Sequence, residues 1–126
     1  MDPRFQPIVF NYLTYKKKMK GKYSSFVIAG GAIGVTSNKF RKWHKTFWDN
    51  LATSIKIHKI KKLIVVNHKD CGAAKIISKK NLSNKQEIEI HKKSFKVLRK
   101  KFKKKYPSLI VEFNLIDLKG RIKKFN

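Results

Sequence analysis

The residues from Leu63 to Ala74 constrain this chain more than any other stretch. Leu63-Ile64-Val65-Val66 are strong β-formers, and they stop abruptly at Asn67-His68-Lys69-Asp70-Cys71-Gly72-Ala73-Ala74. A short unbroken apolar run of this kind reads as a strand buried on both faces, as in the middle of a parallel sheet. In open α/β sheets, functional groups collect just past the carboxyl ends of such strands, and His68 and Cys71 fall at that place. A His-x-x-Cys spacing on a loop lets an imidazole nitrogen and a thiolate converge on one metal ion, and that donor set suits zinc. The same letters also describe a buried cysteine beside a histidine that caps a helix, because so short a motif recurs by chance. Gly72 and Ala73 let the backbone turn tightly and lie close to whatever the pair holds.

The chain opens Met1-Asp2-Pro3-Arg4-Phe5. This segment resembles the Cys-x-Asp-x-Arg motif of the β-class carbonic anhydrases without its cysteine. Asp2 and Arg4 keep the motif's spacing, and Met1 stands where the residue after that cysteine would be. His68, Cys71, Gly72 and Ala73 match the family's second motif in full, and Phe26-Val27-Ile28-Ala29-Gly30-Gly31-Ala32 is similar to its strand and glycine turn between the two. The resemblance runs from residue 1 to about Leu118 and is closest to the short carbonic-anhydrase-like branch.

The resemblance implies a three-layer α/β fold, a mostly parallel sheet with helices on both faces, and zinc-dependent reversible hydration of carbon dioxide to bicarbonate. It implies His68 and Cys71 as zinc ligands and Asp2 and Arg4 as a catalytic dyad beside the metal. Asp2 alternatively closes the fourth zinc position itself, as in the family's inactive states. A dimer or higher homo-oligomer is implied as well, and the two Trp and nine Phe give more large apolar side chains than a domain this small easily hides. One departure stands out: the cysteine that supplies the remaining ligand, and the strand that carries it, have no counterpart at or after Met1. Either Met1 is an internal methionine of a longer reading frame or the metal site has been lost. The survival of Asp2, Arg4, His68 and Cys71 together favours the first.

Periodicity organises the rest. Pro7 to Lys20 reads as a first helix with Gly21 as its stop, and Ser24 to Ala29 as a short strand ending in Gly30-Gly31-Ala32-Ile33-Gly34. Those glycines lack the spacing of a dinucleotide fingerprint. Lys39 to His58 carries Phe40, Trp43, Phe47, Leu51 and Ile55 at helical steps. Trp43, Phe47 and Trp48 read as core or subunit interface, and His44 and His58 as packing or surface residues. Asn81 to Asn84 is a polar break whose Ser83 or Asn84 caps a helix reaching about Lys105, with Ile88, Phe95, Leu98 and Phe102 on its buried side. His91 on that helix reads as structural or solvent-facing, and Asp70 as a loop carboxylate that caps the turn. Tyr106-Pro107 stops the helix, and Ile110 to Leu118 is a last strand whose following tail extends the pairing. The alternation gives a parallel α/β sheet. It starts, unusually, on a helix with no strand before it.

Length and composition set the outer bounds. With 126 residues and 41% hydrophobic content, residues 1–126 read as one globular domain. No apolar run approaches a membrane span and no signal-peptide pattern opens the chain. A single cysteine excludes an internal disulfide framework and fits a reducing cytoplasm. The net charge of +25 suggests polyanions. Yet 28 of the 32 basic residues are lysines, the arginines being Arg4, Arg41, Arg99 and Arg121. Sequence-reading nucleic-acid sites lean instead on the planar arginine fork. Lysine, isoleucine and asparagine share AT-rich codons, so genome composition accounts for much of the excess and no specific nucleic-acid partner is expected. Two alternatives to the enzyme remain: a non-catalytic oligomeric binding protein of the same fold, and a basic nucleic-acid-associated protein.

Overall fold

A strand exists only where a neighbour takes up its backbone groups, and in this chain the neighbours come from the C-terminal half. The computed structural model describes residues 2–126. Strand β1 (Lys62–His68) pairs in parallel with β2 (Ile110–Ile116), from Lys62 opposite Ile110 to His68 opposite Ile116, and β2 pairs antiparallel with β3 (Ile122–Phe125). The sheet order is β1-β2-β3. The expectation of an α/β fold holds at that level, with one parallel and one antiparallel pairing.

The first helical segment is broken into three short pieces. A 3₁₀ turn (Pro3–Phe5) leads into α1 (Gln6–Asn11), which widens into a π turn (Tyr12–Lys16). The expected helix therefore ends short of Lys20. A 3₁₀ stretch (Asn38–Trp43) opens α2 (His44–His58), and α3 (Gly72–Ser78) follows β1 where only a turn was expected. Helix α4 (Asn84–Lys105) starts on a capping box, with the Ser83 hydroxyl and the Gln86 amide each bonding the other's backbone N–H.

The expected strand at Ser24–Ala29 does not form. The segment has no hydrogen-bonded strand neighbour, and the Ile28 carbonyl is instead used locally by the Gly31 N–H at 3.1 Å. Phe26 and Val27 stay exposed in consequence. For the same reason β1 is not buried on both faces. It is an edge strand among the described residues, and Leu63 to Val66 are only half-buried.

Alternation along the strands sorts the side chains by face. Val65, Asn67 and Phe113 point toward α4, and Phe113 lies 5.1 Å from the Phe95 ring centroid. Phe95, Leu98 and Phe102 of α4 join Leu51 of α2, Ala32 and Val35 in the main core. His68, Glu112 and Asn114 point the other way, toward the N-terminal segment, where Phe5 stacks on His68 and the Tyr12 hydroxyl donates to Glu112 at 3.0 Å. Burial alone would raise the Glu112 carboxyl, but Lys17 and Lys62 overcome it and hold the group at about 2. No helix among the described residues is long and apolar enough to cross a membrane.

Phe95 is 1% exposed and touches rings from both β2 and β3. Phe95→Ala is expected to cost about 3–5 kcal/mol of stability, read as a lower urea midpoint with an unchanged slope.

Candidate functional site

The parallel register ends with His68 beside Ile116, and the Lys69 N–H closes onto the Ile116 carbonyl at 2.8 Å. The chain then turns at Asp70, whose φ of 56° is left-handed, a conformation aspartate tolerates better than most residues. Cys71 follows as the N-cap of α3, 2% exposed, packed with Ile33, Ala73 and Ala74. The tight turn is thus made at Asp70 and not at Gly72, where an added Cβ would meet no atom within 4 Å. The glycine that faces this helix is Gly30: its φ is 74°, and an added Cβ there would lie 2.6 Å from the Ala73 Cβ. The glycine turn therefore packs directly against the Ala73 methyl in the first turn of α3.

His68 is oriented by its own loop. Its Nδ1 lies 2.9 Å from the Lys69 carbonyl, which can only accept, so Nδ1 carries the proton and the neutral ring keeps its lone pair on Nε2. A ligating histidine is normally held this way by its second nitrogen. Burial pushes the Cys71 thiol up, against the backbone N–H groups of Ala74 and Ala73, which pull it down. It is a protonated thiol at neutral pH unless a cation takes the proton's place.

Asp2 and Arg4 come to the same loop. Three N–H groups of Arg4 grip the Asp2 carboxylate: the backbone N and Nε at 3.0 Å to Oδ1, and Nη2 at 2.6 Å to Oδ2. The remaining arm, Nη1, reaches Asp70 Oδ2 at 3.0 Å, while Lys75 holds the other Asp70 oxygen. Asp70 is therefore more than the capping carboxylate expected from the sequence, since it anchors the N-terminal segment to the His68–Cys71 loop. The Arg4 hydrogen bonds hold the Asp2 carboxyl at about 2 and the pairing raises the guanidinium. Lys75, then Arg4, lowers Asp70.

The donor types fit zinc, a thiolate and an imidazole with a free Nε2, but their number is short. Among the described residues no three His, Cys, Asp or Glu side chains gather as a metal-holding group. Asp2 would serve as a third donor only by releasing part of the Arg4 fork. A carboxylate has about four lone-pair positions, and Arg4 makes four hydrogen bonds to Asp2, two on each oxygen with Nε shared between them, so every acceptor position on Asp2 is engaged.

Beneath this loop lies a buried polar group that sequence reading missed. The Glu87 carboxylate accepts the Cys71 N–H at 2.7 Å, and the Asn67 amide bridges the Ala32 N–H and the His91 ring, each at 2.9 Å. His91 is 0% exposed, so of the two expectations for it, structural or solvent-facing, the structural one holds. The signal was available: Glu87 and His91 stand four apart and continue the buried stripe of Phe95, Leu98 and Phe102.

This chain belongs to a family described as "putative carbonic anhydrase", whose model matches residues 1–112. It is 31% identical over 106 residues to an uncharacterized protein of Rickettsia bellii, covering 82% of this chain and 65% of that one. A second uncharacterized protein, from Rickettsia conorii, is 28% identical over 104 residues, covering 81% of this chain and 56% of the relative. The chain thus spans less than two thirds of the length of both relatives. No solved structure gives a significant match.

Burial holds the His91 imidazole at about 4, below its ordinary 6.5. The unfolded chain therefore binds more protons than the folded one between those values, and stability rises with pH there. Urea unfolding across a pH series is expected to show stability falling as pH drops from about 6.5 to about 4. His91→Asn should flatten that window. A separate loss follows lower down, as pH falls from 3.8 toward about 2 and Asp2 is protonated.

Proposed function

We propose that this chain is a zinc-dependent, carbonic anhydrase-like protein that interconverts carbon dioxide and bicarbonate. His68 and Cys71 are the zinc ligands, and Asp2 and Arg4 are the dyad beside the metal. The observation that carries this reading is the Arg4 fork, which joins Asp2 to Asp70 and so brings the N-terminal pair to the His-x-x-Cys loop. Membership in the family supports it independently.

When bound, zinc supplies a Lewis acid that makes hydroxide available near neutral pH. The chain's own groups do the rest. His68 presents Nε2 because its Nδ1–H is spent on the Lys69 carbonyl. Cys71 gives up its proton to become a ligand. Asp2, held ionised by Arg4, is the acceptor that orients the nucleophile toward the carbon of carbon dioxide, the longest of the Arg4 hydrogen bonds giving way to it. Arg4 keeps Asp2 from rotating, because its fork is bidentate.

The finer architecture belongs to the same reading. The N-terminal segment on one face of β2, with α4 and α2 on the other, supports a three-layer α/β arrangement over residues 1–126 as one domain. Exposed Phe26, Val27 and Trp43 support a homodimer or larger assembly. The single free cysteine supports a reducing cytoplasm. A second reading, a non-catalytic binding protein of this fold, is favoured by one observation, the absence of a three-donor group among the described residues.

Metal analysis and a proton-release assay of carbon dioxide hydration separate the two. The 126-residue chain is expected to hold zinc weakly, and a cysteine-ending strand added immediately before Met1 to raise both zinc content and hydration. In that extended protein, Cys71→Ser should remove both. Asp2→Asn should keep zinc and lower hydration by about 10- to 100-fold. Full zinc without hydration above background would favour the binding protein.

A further inference from the structure

In a chain with 32 cationic side chains and seven carboxylates, every acid should find a lysine or arginine. Six do: Asp2, Asp49, Asp70, Glu89, Glu112 and Asp117. Glu87 does not among the described residues. It is 8% exposed and turned inward from the first turn of α4, where Oε1 takes the Cys71 N–H at 2.7 Å. One helical turn further, His91 is fully buried and holds the Asn67 amide.

The polarity of this chain of bonds is fixed. The Ala32 N–H can only donate, so it meets Asn67 Oδ1, and the Asn67 Nδ2–H then donates to His91 Nδ1. The neutral His91 ring must therefore carry its proton on Nε2. That nitrogen is the buried side-chain polar atom left without a partner among the described residues, 3.9 Å from Glu87 Oε1. An apolar pair at these two helix positions would pack without burying a carboxylate and an unpaired N–H. Local rules broken in this way concentrate at functional sites.

We propose that Glu87 and His91 are positioning residues for the two candidate ligands. Glu87 fixes the backbone of Cys71, and His91 fixes the side chain of Asn67, the residue before His68. Helix α4 thereby sets the distance and angle between the His68 ring and the Cys71 sulfur, and through Ala32 it locks the glycine turn against the same loop. The inference rests on the zinc reading only in naming His68 and Cys71 as ligands. The positioning itself acts on the metal-free chain.

The test uses variants that keep polarity and size. Glu87→Gln retains an acceptor at the same reach, and Glu87→Asp retains the charge but withdraws it by one methylene. His91→Asn places an amide oxygen near the position of Nδ1, whereas His91→Gln does not. Two readouts are taken on folded protein: the alkylation rate of the Cys71 thiol without metal, and the thiolate-to-cobalt absorption band on titration with cobalt(II). Glu87→Asp and His91→Gln are expected to speed alkylation and weaken cobalt binding by about 10-fold or more, with Glu87→Gln and His91→Asn close to the native chain. Native alkylation rates in all four variants would overturn the proposal, whether or not the cobalt band appears. The expected alkylation pattern without any cobalt band in the native chain would leave the positioning standing and count against the zinc reading alone.

Discussion

One buried side-chain amide joins the parts of this molecule that matter most. Asn67, 2% exposed, accepts from the Ala32 N–H and donates to His91. It thus ties the glycine turn, the end of β1 and helix α4 at a single point. Both bonds lie in the interior, where an unmade hydrogen bond costs about 1–3 kcal/mol, so the three segments move together or not at all. Gly31 must be glycine for the same reason, because its φ is 53° and an added Cβ would collide with Asn67 Oδ1. His68 follows Asn67 directly, and its placement is inherited from that junction.

The second constraint is charge. A chain at +25 repels itself, and its few acids are placed where they join distant segments. Glu112 on β2 is gripped by Lys17 after the π turn and by Lys62 on β1. Asp70 joins Arg4 to Lys75. These bridges hold the N-terminal segment on the sheet face that carries His68. Asp70 is 36% and Arg4 50% exposed, so their bond weakens with salt. The Glu112 cluster, at 14% exposure, is better shielded.

The strand end that carries the candidate site was more legible than the fold around it. His68 and Cys71 could be placed because a run of β-formers ending in a polar loop marks a strand end, and β1 stops at His68 as that pattern requires. The α4 helix was legible from its cap and its apolar stripe. Ser24–Ala29 was not, because β-propensity reports a residue's fit to a pleated surface and says nothing of whether a neighbour exists. Helix α3 was missed because Gly72-Ala73-Ala74 looks like a turn until Cys71 caps it and Lys79 ends it in a left-handed conformation. Glu87 and His91 were hidden by their polarity, since a buried stripe is normally sought among apolar residues.

The most direct measurement is X-ray absorption at the zinc edge on the zinc-loaded chain. The expected shell contains a sulfur at about 2.3 Å and an imidazole nitrogen at about 2.0 Å, with the sulfur lost in Cys71→Ser and the imidazole lost in His68→Ala. A shell of oxygen and nitrogen alone, unchanged by either substitution, would contradict the assignment of His68 and Cys71 to one metal ion.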